Sequence, residues 1–165
     1  MDIRELTAAD AAAYRELRIE ALTNNPDAFG SVLKDALQKP VETTAENLAS
    51  PLAVTFGAFS EGRLVGNVTL LREAAKKMKH RANVVAVYVT PRARGNGVAS
   101  RLMEELLDYA NEWEGIEQLY LTVSSHNRSA IRLYERFGFE KYGTEYRAMK
   151  SGDEYTDEDL MVKFL

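Results

Sequence analysis

The stretch from Val84 to Gly97 constrains the fold more than any other part of the chain. Val85, Val87 and Val89 fall on one face of an extended segment, and Val84, Ala86 and Tyr88 fall on the other. Apolar residues on both faces predict a central strand, covered on each side. Thr90 and Pro91 end it, since proline has no N–H for a ladder and restricts the residue before it. A loop with Arg92, Arg94, Gly95 and Gly97 follows. From Val98 onward, Leu102, Met103, Leu106, Leu107, Ala110 and Trp113 recur at helical spacing, the mark of a helix with one apolar face.

The flanking elements read more simply. Residues 2–6 alternate as a short strand, and Thr7 with Asp10 forms a capping-box pattern, Asp replacing the usual Glu. Tyr14, Leu17, Arg18, Ala21 and Leu22 follow helical spacing until Asn24-Asn25-Pro26. Residues 31–50 predict two short helical pieces broken at Pro40. Strands follow at 53–59 and 63–71, joined at Glu61-Gly62, then an exposed turn at Lys76 to Lys79 and the central strand from His80. A strand at 116–124, a helix at 127–137 closed by Gly138, and a strand pair at 139–146 and 155–164 complete the order. Adjacent strands beside β-α-β units imply a mixed α/β sheet, not a doubly wound one. At 165 residues, one domain over 1–165 is expected.

Composition excludes several chemistries. Cysteine is absent and the two histidines, His80 and His126, make no ligand pair, so no metal site is expected. The longest near-apolar run, Val84 to Val89, falls far short of the roughly 20 residues that span a bilayer. Met1-Asp2-Ile3-Arg4-Glu5 lacks the regions of a signal peptide, and a cytoplasmic protein without membrane contact is expected. A net charge of −4 argues against nucleic acid as a partner. Yet residues 72–101 hold eight bases (Arg72, Lys76, Lys77, Lys79, Arg81, Arg92, Arg94, Arg101) against one acid, Glu73. That local excess suggests a polyanionic ligand.

The loop between the central strand and the helix from Val98 suits phosphate. Free N–H groups at a helix start bind anions, and glycines let a phosphate approach the backbone. Arg92, Arg94 and Arg101 add charge-assisted contacts. The chain has no Gly-x-x-x-x-Gly-Lys-Ser/Thr run. A dinucleotide fingerprint over Gly95 to Ser100 would put Ser in the third glycine position and would need the glycines directly after the strand; Glu117 lies near the distance of its ribose-binding acid.

Arg94-Gly95-Asn96-Gly97-Val98-Ala99 resembles the Arg/Gln-x-x-Gly-x-Gly/Ala signature of the GNAT superfamily of acyl-CoA-dependent N-acetyltransferases. Asn127-Arg128-Ser129-Ala130-Ile131-Arg132-Leu133-Tyr134-Glu135-Arg136-Phe137-Gly138-Phe139 resembles that family's second segment, in the correct order and after an intervening strand. The resemblance implies a mostly antiparallel sheet of about seven strands, with about four helices packed on both faces. It implies that the backbone of Val87, Tyr88 and Val89 pairs with the pantetheine arm of acetyl-CoA. The amides of Gly95, Asn96, Gly97, Val98, Ala99 and Ser100 would hold the pyrophosphate with Arg94 alongside. Asn127 would touch the pantetheine side, and Tyr134 would protonate the leaving thiolate. The expected activity is acetyl transfer from acetyl-CoA to a primary amine of a small molecule, by direct attack in a ternary complex and without a metal. Transfer to a protein N-terminus or lysine, and a non-catalytic acyl-CoA sensor on the same fold, are the alternatives. The terminal strands could support a homodimer.

Residue by residue, simpler roles compete with those. Asn127 sits where an N-cap belongs. Tyr134 lies seven residues on, nearly two turns, so it shares a face with Asn127. A phenol of pKa near 10 suits a thiolate of similar basicity. The general base is open among Glu73, His80, His126, water and a backbone acceptor. Around residues 22–50, which would shape the acceptor site, nearby Glu20 with Asp27, Asp35, Glu42 and Glu46 leans toward a cationic acceptor.

Overall fold

In the computed structural model, which describes residues 1–165, the strands are β1 (Asp2–Glu5), β2 (Ala53–Ser60), β3 (Arg63–Arg72), β4 (Arg81–Val89), β5 (Gln118–Ser124), β6 (Glu140–Ser151) and β7 (Glu154–Phe164). The helices are α1 (Ala11–Asn24), α2 (Leu33–Gln38), α3 (Val41–Leu48), α4 (Val98–Glu112) and α5 (Arg128–Arg136). One sheet runs β1-β2-β3-β4-β5-β7-β6, with β4 central and the β4–β5 pair alone parallel.

β3 shows how the layers form. Val68 and Leu70 are fully buried with Leu102, Met103 and Leu106 of α4. Asn67 and Thr69, on the opposite pleat, face α1, where the Tyr14 phenol meets the Thr69 hydroxyl. Helices therefore cover both faces, as expected. The two helical pieces expected on either side of Pro40 are the separate helices α2 and α3, which bring the total to five against the about four implied by the resemblance. β6 runs to Ser151, five residues past its expected end, whereas β7 starts at Glu154, one residue before its expected start. β6 is exposed or half-exposed along its whole length, so no apolar alternation marks it.

The capping box at Thr7 is present: the Thr7 N–H donates to Asp10 Oδ2 at 2.9 Å, and Ala9 N donates to Thr7 Oγ1. Arg4 adds two bonds to the same carboxylate, at 2.8 and 2.9 Å. These bonds, led by the Arg4 guanidinium, hold the Asp10 carboxyl down to about 2. A depressed carboxylate stabilises the fold above its unfolded pKa of about 4, and the contribution disappears as pH falls toward 2. Asp10→Ala is therefore expected to cost about 1 kcal/mol near neutral pH. In paired denaturation curves the gap between variant and wild type should close between pH 4 and 2. A gap that persists unchanged at pH 2 would refute the assignment.

Candidate active site

β4 does not keep the regular alternation its sequence suggests. Asn67 pairs with Tyr88 and Thr69 with Val85, so Val68 alone stands opposite both Ala86 and Val87. Ala86 takes φ +54°, a left-handed conformation unusual outside glycine. The Asn67 Nδ2 donates to the Ala86 carbonyl at 2.5 Å. A bulge of this kind bends its strand. On the other edge, β4 pairs with β5 only through Arg81, Ala82 and Asn83. Beyond Asn83 the two strands part, while β5 continues against β7 to Ser124.

The parting opens a slot of about 1050 Å³. Its walls are the end of β4, the loop into α4, Thr122 to Ser124 of β5, and α5 from Asn127 to Arg136. Every residue expected at the cofactor site lines it except Asn96. The Asn96 side chain instead folds back onto the carbonyls of Ala93 and Arg94. Val87, Tyr88 and Val89 line the slot, and the Tyr88 side chain reaches toward α1. There its hydroxyl donates to Glu20 Oε1 at 2.9 Å and accepts from Asn24 Nδ2 at 3.3 Å.

The loop supplies the anion chemistry. Gly95 and Gly97 have φ of +79° and +74°, with open space where a Cβ would stand. No backbone acceptor takes the N–H of any residue from Gly95 to Ser100; the first bond of α4 is Arg101 N to Gly97 O. Six consecutive uncommitted amides at a helix start form an anion cradle.

Of the three loop arginines, only Arg94 lines the slot. Its Nε donates to Val89 O at 2.9 Å and its Nη2 to Asn25 Oδ1 at 3.1 Å, tying the loop to β4 and to the end of α1. Arg101 turns away to the Met1 carbonyl. The cluster of bases along residues 72–101 is thus dispersed in space: Arg72 donates to Glu114 O, and Arg81 lies over the Tyr120 ring. The slot takes its other cations from α5, where Arg128, Arg132 and Arg136 line it. Their i, i+4, i+8 spacing was visible in the sequence and places them on one helix face.

Asn127 is the N-cap of α5, its Oδ1 accepting from Ala130 N and Ser129 Oγ, both at 3.2 Å. Tyr134 lies on the same side of α5 and also lines the slot. Its ring is 6% exposed and packs edge-on against Phe139. Its hydroxyl bonds to no protein group, and burial pushes its pKa up to about 12, above the ordinary phenol value assumed from sequence. The phenol is therefore a committed proton carrier at neutral pH. The same desolvation raises the basicity of any thiolate formed beside it, so the match between the two survives.

Among the candidate bases, Glu73 and His80 lie outside the slot, and Glu73 accepts from Asn83 Nδ2. His126 lines the slot, and Asp27 is the one carboxylate that does. A second cavity, of about 890 Å³, lies between α1, α2, α3 and the facing side of β2 and β3. Among the acids of the acceptor region only Asp35 lines it, while Arg15, Arg18 and Lys39 do so as cations. The acidic composition of the segment is thus not the charge of its cavity, because α1 supplies two arginines from outside it.

The family profile described as "Acetyltransferase (GNAT) family" matches residues 13–139. The chain is 31% identical over 103 residues to the L-amino acid N-acetyltransferase AaaT of Escherichia coli K12, covering 62% of this chain and 63% of that protein. It is 31% identical to the N-alpha-acetyltransferase RimI of Mycobacterium tuberculosis over 160 residues, 93% of this chain and 89% of the other. The crystal structure of a GNAT-family acetyltransferase from Streptococcus pneumoniae superposes with a TM-score of 0.88 at 26% identity, covering 99% of this chain and 98% of that one. A strand split from its neighbour, an amide cradle at its end and a match that spans both put the chain in the GNAT family of acetyltransferases.

Proposed function

We propose that the protein moves an acetyl group from acetyl-CoA to a primary amine of a small molecule, by direct attack within a ternary complex. The observation that carries this reading is the run of uncommitted amides from Gly95 to Ser100 at the mouth of the split between β4 and β5. The cradle takes the pyrophosphate, Arg132 and Arg136 add charge beside it, and the pantetheine arm runs along the unpaired edge of β4. The thioester carbonyl is polarised by a β4 amide near the bulge. The amine nitrogen attacks that carbonyl carbon, the C–S bond breaks, and its electron pair goes to sulfur. Tyr134 gives the thiolate its proton and regains one from solvent, while the nitrogen, positively charged after attack, loses its extra proton to solvent. Holding both reactants in line supplies much of the acceleration, and the amide adds stabilisation of the oxyanion.

The length of the match to the RimI relative keeps a protein N-terminus in view as acceptor. Thiol release from acetyl-CoA, measured with small amines and with short peptides side by side, separates the two. Turnover with small amines is expected, and turnover with peptides alone would overturn the small-molecule reading. Acetyl-CoA is also expected to raise the melting temperature by mass action more than NAD or ATP at equal concentration. A larger shift with NAD would favour a dinucleotide site.

A further inference from the structure

The cavity between α1, α2, α3 and the sheet has a floor of two buried hydroxyls, Thr55 Oγ1 and Thr69 Oγ1, 2.7 Å apart. Thr69 stands across from Val85, one residue before the bulge. The cavity therefore adjoins the slot where the thioester would lie. The segment from Phe29 to Ser31 forms the partition: Phe29 lines the slot, and Gly30 and Ser31 line the cavity.

The cations here differ in how fully they are used. The chain's two ion pairs are Arg4–Asp10 and Lys141–Asp159, so Arg15 and Arg18 have no carboxylate partner. Arg15 donates to the carbonyls of Lys39 and Leu37 at the end of α2, at 3.2 and 3.1 Å. Arg18 makes one hydrogen bond, from Nη2 to Ser31 Oγ at 3.3 Å, and lies 4.6 Å over the Phe29 ring. A guanidinium has five N–H donors in a planar fork that matches a carboxylate. Most of those on Arg18 are uncommitted, at the partition between the two cavities. Ile19, Leu22 and Val32 give the same cavity an apolar side.

Resting on the small-molecule reading above, we infer that Arg18 anchors a carboxylate of the acceptor, which is a free amino acid with an apolar side chain. The amine points across the partition toward Val85 to Val87, the carboxylate sits on the Arg18 fork, and the side chain occupies the apolar part of the cavity. Arg18 is a specificity residue in this arrangement and takes no part in bond making.

The test compares kcat/KM for a panel of apolar free amino acids with that for their C-terminal amides, in wild type, Arg18→Gln and Arg18→Lys. The amide keeps the amine and side chain but removes the negative charge. Wild type is expected to prefer the acids by at least about tenfold, the scale of a charge-assisted fork contact. In Arg18→Gln the acid-to-amide ratio should collapse toward one, and Arg18→Lys should restore part of it. Equal use of acid and amide by wild type would overturn the anchor while leaving the small-molecule reading intact. So would a fall in both rates at constant ratio, which would mean that Arg18 only holds Phe29 and Ser31. No turnover of either series by a protein that acetylates other small amines would overturn the anchor alone, and only failure with every small amine would overturn both readings.

Discussion

Tyr134→Phe is expected to lower turnover by about 10²–10⁴-fold, the usual contribution of a general acid, with acetyl-CoA affinity little changed. The fold should survive, because the hydroxyl has no protein partner to orphan and the ring keeps its contact with Phe139. Burial provides a second readout that does not depend on activity. The folded pKa, pushed up to about 12, exceeds the ordinary phenol value of 10. A raised pKa of this kind contributes stability below pH 10, and the contribution is lost as pH rises through 12. Wild type should therefore lose stability between pH 10 and 12 relative to the Phe variant. Equal turnover of the two proteins across neutral pH, assayed below saturation, would reduce Tyr134 to packing.

Gly97→Asp is expected to weaken acetyl-CoA binding by several kcal/mol, through lost charged hydrogen bonds and added repulsion. The variant should fold, since a Cβ at position 97 meets nothing within 4 Å. Aspartate enters the left-handed region at a cost of about 1–2 kcal/mol. A carboxylate at a helix start returns about 0.3–1 kcal/mol of that. A near-normal melting temperature with cofactor affinity lost is the expected pair of results. Calorimetric affinity equal to wild type in the folded variant would remove the loop from the cofactor site.

Where side-chain periodicity carries the information, the sequence is a good guide. The apolar stripe of α4 and the two-faced run of β4 place the core and the central strand. The Gly95–Gly97 loop and the Asn127–Tyr134 face are both found on the slot. Backbone departures are harder to read, because they leave little trace in residue type. Ala86 is an ordinary strand residue by composition, yet it holds the bulge that bends β4. Its signal lies on another strand, in the buried Asn67 that captures the Ala86 carbonyl. Charge misleads for a similar reason. Bases close together along residues 72–101 scatter in space, whereas Arg128, Arg132 and Arg136 converge because a helix repeats nearly every four residues. The charge of the cavity between α1, α2, α3 and the sheet escapes a reading of residues 22–50 because two of its three cations, Arg15 and Arg18, come from one turn of α1.

The short β4–β5 pairing also has a mechanical consequence. Two stiff plates, β1 to β4 and β5 to β7, meet in the sheet through a weld three residues long at one end. Rotation about that weld would change the gap at the far end while leaving the ladders within each plate intact. Within the sheet, β4 beyond Asn83 is the stretch with no ladder to β5, and the thioester of the proposed complex would lie there. A hinge of that kind would let the proposed cofactor enter and leave by a small turn of one ladder against the other.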